Sequence, residues 1–171
     1  LKVALLVIAW RAANTYVKKE EERSAEARAS NLPKEVSAVD HKLMRAAFED
    51  SLRYSSERKV FGNSVSEFPI SIARLELIGA YIVACKELTY EVAALMDKGA
   101  GQMEASLVKL LTCRAAEWVT RDALQLFVGM VYAEETSVSR YFVDARVLSI
   151  FEGAEETLAI RVLGKSLLEG R

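Results

Sequence analysis

Residues 70–95 read ISIARLELIGAYIVACKELTYEVAAL, and apolar side chains recur in this stretch at intervals of three and four residues. This spacing lines up one side of an α-helix, whereas a strand would alternate every second residue. Gly99 follows the stretch, and glycine readily adopts the left-handed conformation that ends helices. The stretch therefore predicts a long helix whose apolar stripe must pack against neighbours.

The same period extends outward in both directions. Only two prolines and eight glycines interrupt it, and no strand signal of any length occurs. Further helices are predicted from about Lys2 to Asn31–Pro33, from Val36 or an N-cap at Asp40 to about Lys59, from Met103 to Phe127, from Ser139 to Arg146, and from Ala154 to Leu168. Four to five long helices with short connections predict an all-α, up-and-down helical bundle.

Composition excludes several classes of function. The 171 residues carry 23 basic and 24 acidic side chains, so a charge of −1 favours neither nucleic acid nor an anionic membrane. The apolar run from Val3 to Trp10 is too short to span a bilayer. Cys85 and Cys113 are expected to be buried thiols, and the one histidine, His41, makes a zinc site or a Ser/His triad unexpected.

Three segments contain residues that a plain bundle does not require. Glu57–Gly62 combines a basic pair, an aromatic and a glycine, and ordinary helix termination would also explain it. Gln125–Tyr132 surrounds a glycine with apolar residues, as a buried helix end would. In Asp144–Gly153, burial beside Ile150 and Phe151 would raise the pKa of Glu152 and suit it to act as a general base, although Glu152 could also be an exposed first-turn residue.

Together, the three segments form an ordered set of motifs. The set comprises Tyr54-x-x-x-Arg58-Lys59-x-Phe61-Gly62, then Asp122-Ala-x-Gln125 with Gly129 and Tyr132, then Val138-x-Arg140, Asp144-Ala-Arg146 and Phe151-Glu152-Gly153. In order and spacing it resembles the C-terminal helical domain of the acyl-CoA dehydrogenase family over about residues 40–169. We therefore assign residues 36–171 to such a domain and leave 1–35 as a helical segment of unclear family match.

The resemblance implies roles for individual residues. Glu152 would remove the alpha proton of an acyl-CoA thioester while hydride leaves the beta carbon for flavin, giving the trans-2-enoyl-CoA. Gly153 would contact the substrate, and Arg146 would be an ion-pair residue. The remaining matches imply FAD contacts, several of them across a dimer interface, by Arg58, Phe61, Gln125, Gly129 and Ala154.

The resemblance also implies partners. These are acyl-CoA as substrate, electron-transfer flavoprotein as electron acceptor, and a second copy of the chain in a homodimer or homotetramer. The expected location is the cytoplasm of a bacterium or archaeon, or the mitochondrial matrix of a eukaryote. Family members have further helical and β domains that complete the site, so this chain alone is expected to be inactive.

The sequence departs from the family at four positions. Val128 and Val131 replace glycines, Pro69 replaces a glutamine, and Ala154 replaces a common threonine. A β-branched side chain neither takes positive φ easily nor lets a ligand approach the backbone. A degenerate domain kept for oligomerisation, with its flavin surface filled by Val128 and Val131, is therefore the alternative hypothesis, and an unrelated bundle is a third.

Overall fold

A computed structural model describes residues 25–132, 136–151, 153–164 and 168, with the backbone alone for 25–38 and 161–163. The predicted helix between Lys2 and residue 24 and the apolar run Val3–Trp10 lie outside these residues. No helix in the described part of the chain has the length and hydropathy to span a membrane.

Helices make up nearly all of the described fold. Helix α1 covers Ala25–Glu57, α2 Pro69–Met96, α3 Gln102–Phe127, α4 Ser137–Leu148 and the single turn α5 Glu155–Thr157. Two short 3-10 helices cover Val65–Glu67 and Val128–Tyr132, and π-helical turns cover Leu158–Gly164. A two-residue antiparallel ladder pairs β1, Lys59–Val60, with β2, Asn63–Ser64. The predicted all-α bundle is confirmed.

Helix α1 departs from the prediction. It passes through Pro33, so the predicted helix end at Asn31–Pro33 is wrong. Proline removes only its own amide donor and disfavours its neighbour's helical conformation, and residues 25–57 contain no glycine to end the helix. The predicted N-cap at Asp40 is also wrong, because Asp40 lies inside α1 and is fully buried.

Helix α3 is the centre of the bundle and packs against α1, α2 and α4. The predicted long helix α2 is confirmed, but its buried positions recur every seven residues, at Ser71, Ile78, Cys85 and Val92, so its buried face is narrower than the predicted stripe with spacings of three and four. Small residues on α3, such as Ala116 and Ala123, let α1 approach with Met44 and Ala47 fully buried between them. Both cysteines are buried thiols, as predicted.

The last helical segment differs in type from the prediction. One helix was expected from Ala154 to Leu168, whereas a single α-turn leads into π-helical turns over Leu158–Gly164. A π-turn bonds each amide five residues back instead of four.

Candidate functional site

The first predicted segment forms a tight hairpin. Lys59 pairs with Ser64 and Val60 with Asn63, which leaves Phe61 and Gly62 as the two central residues. Their φ angles are +54° and +88°, so both are left-handed, as a type I′ turn requires. Glycine adopts this conformation without strain, but a phenylalanine there costs roughly 1–2 kcal/mol.

This hairpin exposes two side chains near its turn, whereas its Ser64 hydroxyl donates to the Ser55 carbonyl of α1 at 2.9 Å. Phe61 is 94% exposed. Arg58 is also exposed; its amide donates to the Tyr54 carbonyl at 2.8 Å, and its guanidinium has no ion-pair partner among the described side chains. Ordinary helix termination does not explain why Phe61 is both strained and exposed beside the guanidinium of Arg58.

The second predicted segment follows the end of α3. Gln125 and Gly129 are exposed. Val128 has φ +50° and ψ −123°, so the backbone keeps a conformation suited to glycine although the residue is valine. Val128 is 71% exposed, whereas Val131 packs against the hydrophobic core. Val131 is partly buried, so Val128 changes the exposed surface more than Val131 does.

An aromatic stack joins these two segments. The Tyr54 and Phe127 rings lie 4.2 Å apart between centroids and are nearly parallel. Tyr54 precedes Arg58 by one helical turn, and Phe127 immediately precedes Val128. Arg58, Phe61, Gln125 and Gly129 therefore share one end of the bundle, which we call the hairpin end.

The third predicted segment follows α4. The Ile150 and Phe151 amides both donate to the Val147 carbonyl, at 3.0 and 3.1 Å. Gly153 has φ +103°, and a Cβ on it would lie 3.4 Å from Leu158, so a side chain there would be both strained and tightly packed. Glu152, the predicted base, lies outside the described residues.

A buried lysine holds this segment. Lys109 of α3 donates from Nζ to the carbonyl oxygens of Phe151, at 2.7 Å, and Gly153, at 2.5 Å. Its side chain is buried, where an ammonium is costly unless its hydrogens find acceptors. The sequence interpretation missed Lys109, although the residue shares the core-facing side of α3 with Ala105, Thr112 and Ala116.

A buried carboxyl lies in the same region. Asp40 Oδ2 accepts hydrogen bonds from Thr112 Oγ1 at 2.9 Å and Cys113 Sγ at 3.3 Å. Burial raises the pKa of Asp40 from 3.8 to about 6, against the opposing effects of those bonds and the charge of Lys109. Burial and then the charge of Asp40 raise the pKa of the Cys113 thiol. Asp40, Lys109, Thr112, Cys113, Phe151 and Gly153 form what we call the lysine end.

Two ion pairs flank the lysine end. Arg146 pairs with Glu117 at 2.9 Å, as predicted for an ion-pair residue. Arg114 pairs with the largely buried Glu155 at 2.6 Å, directly after Ala154, the N-cap of α5. Burial raises the pKa of Glu117, but hydrogen bonds from Arg146 and Ser149 outweigh it and leave that pKa below its usual value.

The predicted site residues fall into two separate groups. Lys109 and Phe127 are 18 residues apart on α3, which at 1.5 Å per residue is about 27 Å along the helix. Gly153 and Ala154 are therefore brought together at the lysine end, far from Arg58, Phe61, Gln125 and Gly129. One copy of the chain does not gather all predicted site residues around one point.

Comparison with known proteins agrees with the sequence motifs. The family model described as acyl-CoA dehydrogenase, C-terminal domain, matches residues 35–168. A (2S)-methylsuccinyl-CoA dehydrogenase from Cereibacter sphaeroides is 39% identical over 124 residues, which is 72% of this chain and 22% of that protein. A caffeyl-CoA reductase–Etf complex subunit from Acetobacterium woodii is 29% identical over 124 residues, 72% of this chain and 33% of that protein.

Solved structures show the same fold. Butyryl-CoA dehydrogenase from Megasphaera elsdenii superposes with a TM-score of 0.79 and 29% identity, over 85% of this chain and 39% of that one. The chain thus spans between a fifth and two fifths of the length of these similar proteins.

Proposed function

Because the chain belongs to the acyl-CoA dehydrogenase family, we propose that it is the C-terminal part of a flavin-dependent enzyme that dehydrogenates an acyl-CoA thioester, with Glu152 as base. The product is the trans-2-enoyl-CoA. Further domains of the same protein complete the site, and the part described above is inactive alone.

One observation carries the flavin assignment: Phe61 is 94% exposed and held at φ +54°. Strain of this kind persists only where the surrounding structure imposes it, and it concentrates at ligand sites. A flat cofactor that covers the ring would offset the cost of both the strain and the exposure. The exposed Arg58 beside it suits a pyrophosphate, which a guanidinium binds with two parallel hydrogen bonds.

The residues at the hairpin end fit FAD. Arg58 would bind its pyrophosphate, Phe61 would pack beside it, and Gln125 and the open backbone at Gly129 would follow the adenosine half. Val128 places one exposed side chain along this edge of the proposed FAD site, whereas the partly buried Val131 contributes less. At the other end of the bundle, Ala154 would lie next to the flavin. The bound flavin supplies the acceptor for the hydride that leaves C3.

Glu152 performs the proton step. Its carboxylate takes the proton from C2 of the thioester, and the electrons of that C–H bond become the C2–C3 double bond. An alpha proton is acidic enough for a carboxylate only when the thioester oxygen is polarised, and the backbone N–H of Glu152 is the proposed donor. Gly153 would contact the acyl chain beside the base.

The separation of the two ends supports a homo-oligomer. About 27 Å of helix is several times the reach of a side chain, so the base of one copy and the hairpin end of the same copy serve different flavins. A homodimer or homotetramer brings the hairpin end of one copy to the flavin of another. Electron-transfer flavoprotein is the proposed acceptor, since one relative is itself named as a subunit of an Etf complex.

An absorbance titration of the complete protein tests the proposal. We expect a yellow protein whose flavin band bleaches when acyl-CoA is added. Glu152→Gln should slow bleaching by about 10²- to 10⁴-fold, because the nearly isosteric amide cannot accept the proton. Glu156→Gln, which alters an exposed carboxylate four residues away, is the matched control and should bleach at the wild-type rate. Bleaching that survives Glu152→Gln would reassign the base.

A catalytically degenerate domain, kept for oligomerisation, is the second candidate. The positive φ of Val128 favours it, because a valine in a glycine conformation is a change that selection for flavin binding would oppose. A colourless complete protein that also fails to bind added FAD would establish this candidate.

A further inference from the structure

We propose that Lys109 is a positioning residue for the catalytic base, because its ammonium holds the carbonyl groups on both sides of residue 152. The inference rests on the proposed function of Glu152 and adds a residue to it. Lys109 touches neither substrate nor cofactor in this role and acts through the backbone of the Phe151–Gly153 segment.

The geometry is that of a two-point clamp. Nζ donates to the Phe151 and Gly153 carbonyls at 2.7 and 2.5 Å, so a single ammonium group holds two peptide planes that are two residues apart. Bonds from a charged donor are roughly twice as strong as neutral ones. Lys109 comes from the centre of α3, which is packed on several sides, so the clamp is anchored in the core rather than in a loop.

Neighbouring groups show that the clamp is built into the fold. The charge of Lys109 acts on buried Asp40, which α1 supplies and which Thr112 and Cys113 hold by hydrogen bonds. Cys113 also contacts the Leu148 carbonyl at 3.5 Å, at the end of α4. Gly153 supplies the left-handed turn that presents its carbonyl to Lys109. Residues of α1, α3 and α4 thus form one cluster around Lys109, which alone among these residues bonds the Phe151 and Gly153 carbonyls.

The test replaces Lys109 by methionine, which has a similar length but no donor, in the complete protein. We expect kcat for flavin reduction, expressed per bound flavin, to fall at least about tenfold with KM changed less than about threefold, since misplacing the base affects the chemical step. Lys109→Gln, which keeps two N–H donors, should restore part of the rate. Val119→Ala, a core change on α3 far from the segment, is the control and should weaken folding without changing that rate.

Amide hydrogen exchange gives a second readout that needs no activity. The Phe151 and Leu158 amides, which donate to Val147 and Ala154, should exchange at least about tenfold faster in Lys109→Met and Lys109→Gln than in Val119→Ala. Unchanged exchange would overturn the clamp. Faster exchange with an unchanged rate per flavin would overturn its catalytic role. Loss of the proposed function itself would appear separately, as wild-type protein that acyl-CoA does not bleach while exchange still responds to Lys109.

Discussion

The hairpin end and the lysine end differ in burial and in backbone strain. At the hairpin end, Phe61 and Val128 are exposed and hold left-handed backbone conformations that suit glycine. At the lysine end, Lys109 and Asp40 are buried titratable groups held by hydrogen bonds within the chain, although Oδ1 of Asp40 has no hydrogen-bond partner among the described residues. Strain with exposure marks the first region, and burial with charge marks the second.

This difference indicates where each region finds its stabilisation. The described chain gives the hairpin end few contacts to offset its strain, which suits a surface completed by a cofactor and another copy. The lysine end is stabilised by α1, α3 and α4 of the same chain, which suits a segment that must hold one catalytic group in place. The comparison predicts that substitutions at the lysine end alter the stability of the fold and its pH dependence. Substitutions that relieve strain at the hairpin end should instead raise stability and change the affinity for FAD.

The largest expected effect is on the pH dependence at Asp40. Its pKa rises from 3.8 to about 6 on folding, which corresponds to roughly 3 kcal/mol. A raised pKa means that the folded state binds the proton more tightly, so this contribution is full below about pH 4 and is lost as pH rises through about 6. The thermal unfolding midpoint of the wild type, measured relative to that of Asp40→Asn, should therefore decrease as the pH is raised from 4 to 6.

Thermal unfolding of the complete protein across this pH range makes the measurement. Glu49→Gln, which removes an exposed carboxylate on the same helix, should leave the wild-type profile unchanged. A wild-type profile parallel to that of Asp40→Asn from pH 4 to 6 would show that the lysine end is not the titrating region.

The next effect separates strain from binding at Phe61. Asparagine tolerates left-handed φ, so Phe61→Asn should stabilise the hairpin by up to about 1 kcal/mol. The same change removes the ring, so FAD affinity should fall by roughly tenfold. Fluorescence titration of the flavin-free protein with FAD, alongside thermal unfolding, follows both quantities.

Phe61→Leu is the matched variant, since it removes the ring but keeps a side chain for which positive φ is unfavourable. It should lose FAD affinity without the gain in stability. Equal FAD affinity in wild type, Phe61→Asn and Phe61→Leu would break the assignment of this end to the cofactor.

Sequence patterns predicted the long helices well because burial repeats along them. Helix α3 was expected from Met103 to Phe127 and covers Gln102–Phe127, since its apolar positions continue without a break. Pro33 misled the prediction, because a proline usually ends a helix but here removes one donor from a long one. The π-turns after Thr157 were not predicted, because π-helical bonding is rare and a helical apolar pattern is interpreted as an α-helix by default.

The sequence predicted some residues of the candidate site and missed others. The motifs grouped Arg58 with Phe61 and Gln125 with Gly129, but their distance from Gly153 depends on the length of α3, which no motif expresses. Lys109 and Asp40 were missed because lysine and aspartate are usually solvated. Lys109 occupies a core-facing position in α3, whose bounds were predicted nearly correctly, whereas Asp40 was expected to cap a helix that in fact passes through it. A charged residue at a core-facing position is the signal that could have identified Lys109.

The smallest expected effect distinguishes the two valines that replace family glycines. Val128 has φ +50°, so Val128→Gly removes a strain of about 1–2 kcal/mol but adds flexibility that costs about 0.5–1 kcal/mol, for a net gain near 0.5 kcal/mol. Val131 is not at positive φ and packs on the core, so Val131→Gly loses packing and should destabilise the protein. Unfolding midpoints should therefore shift in opposite directions, and FAD affinity should rise for Val128→Gly because the exposed side chain no longer narrows the edge. Parallel shifts of the two variants would mean that the left-handed backbone at residue 128 costs nothing, and Phe61 alone would then support the description of the hairpin end as strained.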